Sequence, residues 1–163
     1  EVFEVRRMLE VEMVRLFMRQ ITAPQIRALR DHLLLEKEAV SAANVPSRVA
    51  LLGDFHVLIA ELLGNKVLEQ MLRDLIARCA LVTLMYQSAQ AAQDSNREHV
   101  SIMAAIVTKD EAKAVQLMEE HLLHVVSSLT LDRKPPTNDV TEVFEPSYQA
   151  TQEAYLETTQ SPL

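Results

Sequence analysis

Only two glycines, Gly53 and Gly64, occur in a chain of 163 residues. Tight hairpin turns and phosphate-cradling loops both depend on glycine at positions other residues cannot occupy, so this scarcity excludes most all-β folds and the glycine-rich nucleotide sites. Helices need none in their interiors. The chain is long enough for one well-buried core and short for two. Its formal charge of -7, with no run of basic residues interleaved with aromatics, argues against nucleic-acid binding by this segment itself. The single Cys79 forbids an intrachain disulfide, and no apolar run approaches a membrane span of roughly 20 residues, so a cytoplasmic setting fits best.

Apolar periodicity predicts six helices. The first carries Val2, Val5, Leu9, Met13 and Leu16 and runs to about Gln20. A second starts at Thr22, a capping residue with Pro24 in the first turn, and reaches about Ala43; Ser47 caps a third that ends at Gly64. The fourth runs from Asn65 to about Ala91 and is apolar nearly all round, which predicts a helix at the middle of the bundle. Polar Gln93 to Asn96 predicts the next break, followed by helices to about Val107 and Leu131. The fold expected is all-α, an antiparallel six-helix bundle over residues 1–131. Residues 132–163 turn to Thr, Gln and Glu with scattered aromatics and read as a docking or disordered C-terminal tail.

Helical phase sorts the five histidines. His56 shares a stripe with Val49, Leu52, Ile59 and Leu63; His99 with Ile102, Met103 and Ile106; His121 with Ala114, Leu117, Met118 and Val125. His32 and His124 fall at boundary or surface positions. One inward histidine is usually a satisfied core residue. Three on different helices are harder to satisfy, because helices consume their own backbone groups, whereas a divalent ion of the zinc or nickel type takes three neutral imidazoles at once. No Glu-x-x-His spacing exists, which removes zincin and di-iron carboxylate sites, and Cys79 reads as a small core residue. Arg78, on a stripe with Met71, Leu75, Val82 and Met85, and Arg6, among Phe3, Met13 and Glu10, are candidates to clamp a small carboxylate; the simpler alternatives are i,i+4 pairs with Asp74 and Glu10. A metal-dependent enzyme using the same three histidines is the alternative function, with Asp54, Glu10 or Tyr86 as the available bases.

The segments Glu4-Val5-Arg6-Arg7-Met8-Leu9-Glu10, Phe55-His56 with Gly64-Asn65, Glu98-His99 with Ala105-Ile106, and Met118-Glu119-Glu120-His121-Leu122 resemble, in this order, the C-terminal effector (FCD) domain of FadR-type regulators in the GntR superfamily. The resemblance implies a homodimeric all-α sensor of a small carboxylate effector that follows a winged helix-turn-helix domain upstream, through which alone DNA is bound. It also implies a metal held by one Asp and three His. The histidines match His56, His99 and His121, the first-helix arginine matches Arg6, and Asn65 matches an effector-contacting asparagine, for which helix capping is the simpler role. The aspartate does not match: Leu52 stands four residues before His56, and Asp54 is turned about 200° around the helix from it. Val11, Phe17, Leu81 and Leu84 are the apolar residues expected to remain for a dimer contact.

Overall fold

A computed structural model describes residues 1–42 and 44–129. The expected tail, 132–163, lies outside the described residues. Six helices occur in the order α1 (Val2–Met18), α2 (Ala23–Ser41), α3 (Val45–Leu63), α4 (Lys66–Tyr86), α5 (Ala89–Val107) and α6 (Glu111–Ser128), with no strand among the described residues. The all-α bundle is as the periodicity predicts.

Short polar side chains set the helix starts. The Thr22 backbone N–H donates to Gln25 Oε1 at 2.7 Å as part of a capping box, and Asn65, Ser88 and Asp110 each accept the backbone N–H three residues on. Helix α3 is capped by Asn44, whose Oδ1 accepts the Ser47 N–H at 3.1 Å. The expected cap at Ser47 is therefore corrected: Pro46 sits comfortably in the first turn, and the helix begins at Val45. Gly64, with φ of 81°, ends α3 in the left-handed conformation that a side chain would strain.

Two further expectations are corrected. The chain breaks at Gln87-Ser88, not at Gln93 to Asn96, because Ser88 Oγ satisfies the Ala91 N–H at 3.0 Å and restarts the helix at once. The polar run then lies inside α5, with Ser95 and Asn96 turned inward. Nor is α4 the central helix. It packs on α1 and α3, whereas α3 touches α1, α2, α4 and α5 and is the hub of the bundle. Helix α4 leaves Val67, Met71, Leu81 and Leu84 exposed. A helix apolar all round has two faces to cover, and this chain covers one.

The core joins Met13, Val14 and Phe17 of α1 to Leu29, Phe55, Ile59, Leu72, Ile102, Ile106, Met118 and Leu122. Phe17 is fully buried there, so it is withdrawn from the residues expected to remain for a dimer contact. The core draws residues from α3, α5 and α6 together and fixes their facing registers. Those three helices carry His56, His99 and His121.

A candidate metal centre of three buried histidines

His56, His99 and His121 have at most 2% of their surface exposed, and one potential ligand atom from each lies within 4.8 Å of the others. The Nε2 atoms face each other: His99 to His121 at 3.1 Å, His121 to His56 at 3.3 Å. Each Nδ1 faces a carboxylate, His99 on Glu36 at 3.0 Å, His121 on Glu98 at 2.7 Å, and His56 on Glu10. An ionised carboxylate only accepts, so a neutral His121 ring carries its proton on Nδ1 and turns its Nε2 lone pair towards the Nε2 atoms of His99 and His56. That arrangement is repulsive unless a proton or a cation stands between them.

Burial sets the charge states. It pushes His56 down to about 4 and His121 to about 3, in the latter case helped by the other two imidazoles. Burial would raise the Glu10 carboxyl, but Arg6 and His56 outweigh it and hold Glu10 at about 2. Glu36 is likewise held at about 2 against burial, by His99 and by hydrogen bonds from His32 and Asn96. Neutral pH therefore finds His56 and His121 as neutral imidazoles and Glu10 and Glu36 as anionic carboxylates. This donor set suits a borderline divalent ion, whose ligating histidines usually donate the second N–H to a carboxylate.

A cavity of about 50 Å³ opens on the histidines, lined by Arg6, Leu52, Gly53, Ile76, Cys79, Gln87 and Ser95 among others. Arg6 Nε donates to Glu10 at 2.7 Å, which is the i,i+4 pair, and Arg6 also lines the cavity. Leu52 lies in the wall four residues before His56, where the resemblance calls for an aspartate. Asp54 is exposed on the far side of α3. Arg78 is exposed and does not line the cavity, because α4 turns it away from α3. Asn65 is exposed, caps α4 through the Leu68 N–H at 3.1 Å, and lies in a separate groove between α1 and α4. The six expected site residues thus divide: Arg6 and the three histidines come together, Arg78 and Asn65 do not join them.

Several residues of the centre carry no mark in the sequence reading. Glu36 is fully buried, bound by Asn96 Nδ2 at 2.9 Å and contacted by His32 Nε2 at 3.2 Å. Its phase with Leu29 and Leu33 is the signal that finds it. Arg48, with 5% exposure, donates from Nη2 to the Gln87 carbonyl at 3.3 Å; its phase with Leu52 and Phe55 marks it as inward. Phe55 stacks on His99 with ring centroids 4.0 Å apart and holds that imidazole flat against α3.

The FCD domain family matches residues 1–124, and no curated protein matches the chain. Among solved structures, a Streptococcus agalactiae GntR protein superposes with a TM-score of 0.68 at 27% identity, covering 78% of this chain and 57% of its own. Escherichia coli McbR/YncC superposes with a TM-score of 0.71 at 16% identity, covering 82% and 68%, and speaks for the fold alone. The chain therefore spans little more than half the length of the first of these proteins. With a match over residues 1–124 and the helical order those folds share, this chain belongs to the FCD domain family.

Proposed function

We propose that this chain is the effector-sensing and dimerisation domain of a GntR/FadR-type transcription regulator, and that it binds a small organic acid beside a metal ion held by His56, His99 and His121. The carrying observation is the ring of three Nε2 atoms, each backed by a carboxylate, opening on a cavity walled by Arg6. A bound ion supplies a Lewis-acidic centre at which a carboxylate oxygen is a good ligand. Arg6 adds positive potential on the same wall, and Leu52, Ile76 and Val49 exclude water around it. The cavity, of about 50 Å³, suits a short acid and not a lipid chain.

The enzyme alternative lacks a placed base. Glu10 is held ionised between Arg6 and His56, Asp54 faces solvent, and Tyr86 is not in the cavity wall. Apolar residues on α1 and α4 suit a homodimer: Met8, Val67 and Met71 border one groove, and Leu81 and Leu84 continue along α4. DNA contact belongs to a winged helix-turn-helix domain outside this chain. No described helix is long and apolar enough to cross a membrane.

The test is titration of the chelator-treated chain with zinc, followed by short carboxylates. Stoichiometric zinc uptake, lost in His99→Ala, and acid-dependent thermal stabilisation of the zinc form are expected. Zinc uptake unaffected by His99→Ala places the metal elsewhere.

A further inference from the structure

Gln87 stands at the corner between α4 and α5 and is more than nine-tenths buried, at 8% exposure. Its backbone is fully engaged: the N–H donates to Thr83 O at 3.0 Å and the carbonyl accepts Arg48 Nη2 at 3.3 Å. Its side-chain oxygen is not. The Oε1 atom is buried without a hydrogen-bond partner, and the residue lines the same cavity as Ser95 and the three histidines. A buried acceptor left unpaired is destabilising, and nothing in the packing of a helix corner requires one there. Leucine or methionine would fill the same space.

We propose that Gln87 is a specificity residue that reads a hydroxyl group on the bound acid, so that the effector is a short hydroxycarboxylate. This rests on the effector-sensing reading above and narrows it. A hydroxyl both donates and accepts, and so satisfies the carboxamide whichever of its two atoms faces the ligand. Charge separates it from an amine. Arg48 is only 5% exposed, and no carboxylate pairs with it among the described residues. Its guanidinium donates to the Gln87 carbonyl just behind the cavity wall, and that nearby positive charge disfavours an ammonium group at the Gln87 end. Ser95, also in the wall and 4% exposed, offers a second neutral polar contact. The carboxylate of the acid belongs at the histidine and Arg6 end, the hydroxyl at the Gln87 end.

The experiment is calorimetric titration of the full 163-residue chain, in zinc-containing buffer, with propanoate, 2-hydroxypropanoate, 3-hydroxypropanoate and 2-aminopropanoate. At least one hydroxy acid is expected to bind about tenfold or more tightly than propanoate, and 2-aminopropanoate more weakly than its hydroxy counterpart. Gln87→Met keeps the side-chain volume and removes the polar group. It is expected to reduce the hydroxyl preference to about threefold or less and to leave the ligand-free Tm unchanged or higher, since it removes an unpaired amide. Equal binding of propanoate and both hydroxy acids by the unaltered chain overturns the proposal, with no variant needed. So does a preference that survives in Gln87→Met, or an amino acid that binds as tightly as the hydroxy acid. Failure of all four acids to bind overturns the effector-sensing reading itself and this proposal with it.

Discussion

His99 and His121 bring their Nε2 atoms to 3.1 Å while each donates Nδ1–H to its own buried or half-buried glutamate. Neither nitrogen has a proton for the other when both rings are neutral. With both rings neutral the contact is unfavourable and a cation relieves it, while burial holds His121 back from taking up the proton that would otherwise do so.

Acid should destabilise the metal-free chain earlier than carboxylates alone explain. His56 and His121 have folded-state values of about 4 and about 3 against an ordinary 6.5. Below 6.5 the unfolded chain takes up protons that the native state refuses, so stability falls as pH falls, by about 1.4 kcal/mol per pH unit for each such group. Glu10 and Glu36, at about 2 against 4.5, contribute stability that is present above 4.5 and lost towards 2. His32 acts oppositely in a separate window. Glu36 and the Leu51 carbonyl outweigh burial and raise it, so its contribution is full below 6.5 and fades as pH climbs through its folded value. Urea unfolding of chelator-treated protein between about pH 6.5 and pH 4.5 should show the histidine slope; a flat profile there contradicts neutral buried imidazoles.

Removing the carboxylates behind the imidazoles should weaken metal binding without touching a ligand. Glu36→Gln leaves the His99 Nδ1 with a neutral acceptor and loosens the bonds from Asn96 and His32. A loss of about 10–100-fold in zinc affinity is expected, typical of outer-shell partners. Glu10→Gln should act similarly through His56, with an added stability cost because it strands the Arg6 cation, 4% exposed, without its anion. Calorimetry with zinc, with circular dichroism to confirm folding, checks both. An unchanged zinc affinity in Glu36→Gln means that His99 is not a ligand.

Leu52→Asp should restore a fourth donor. Leu52 is 6% exposed, one turn before His56, and lines the cavity. Without metal the substitution buries a carboxylate in apolar surroundings and should lower Tm; with zinc it should bind more tightly and show the larger zinc-induced rise in Tm. The ratio of the two melting shifts decides it. A variant destabilised equally with and without zinc places Leu52 out of reach of the metal.

The histidines were legible because phase is a property of single helices, and three apolar stripes each contain one. Their carboxylate partners were not, since Glu10, Glu36 and Glu98 reach across from α1, α2 and α5 to rings on other helices or, like Glu98, to a ring on α6. Such pairings depend on helix register, which no local pattern fixes. Arg78 shows the same limit from the other side. Its stripe on α4 is apolar, but α4 has two apolar faces, and phase alone does not say which meets α3. The break at Ser88 was readable as a cap and was masked by the alanines after it, which extend a helix as readily as they start one.

Gly53→Ala should be destabilising although alanine is the better helix former. A Cβ at Gly53 meets Ile76 Cγ2 at 2.7 Å, too close for any real contact. The opposing methyl belongs to a β-branched side chain with little rotamer freedom in a helix, so α4 must move away from α3. Overpacking of about 1–3 kcal/mol then outweighs the propensity gain of about 1 kcal/mol. Both residues line the cavity, so ligand binding should weaken too. Ile76→Leu removes the Cγ2 branch and should rescue the double variant. Absence of rescue locates the strain elsewhere.

Charge and apolar surface make opposite demands on this chain, and both are testable on it alone. A formal charge of -7 without a basic stripe gives little counterion release, so the chain should show no salt-sensitive affinity for duplex DNA at micromolar concentration. The outer face of α4 exposes 62% of Leu81 and 41% of Leu84, and one substitution there is met twice across a two-fold contact. Leu81→Asp should therefore convert a dimer to a monomer in light scattering while leaving zinc uptake intact, since Leu81 does not line the cavity. The expected loss in dimer affinity is large, because each dimer would carry two carboxylates into an apolar contact. A chain already monomeric at high concentration, or a Leu81→Asp dimer as tight as the original, would assign pairing to another face; tight DNA binding by the chain would mean that its helices do more than sense and pair.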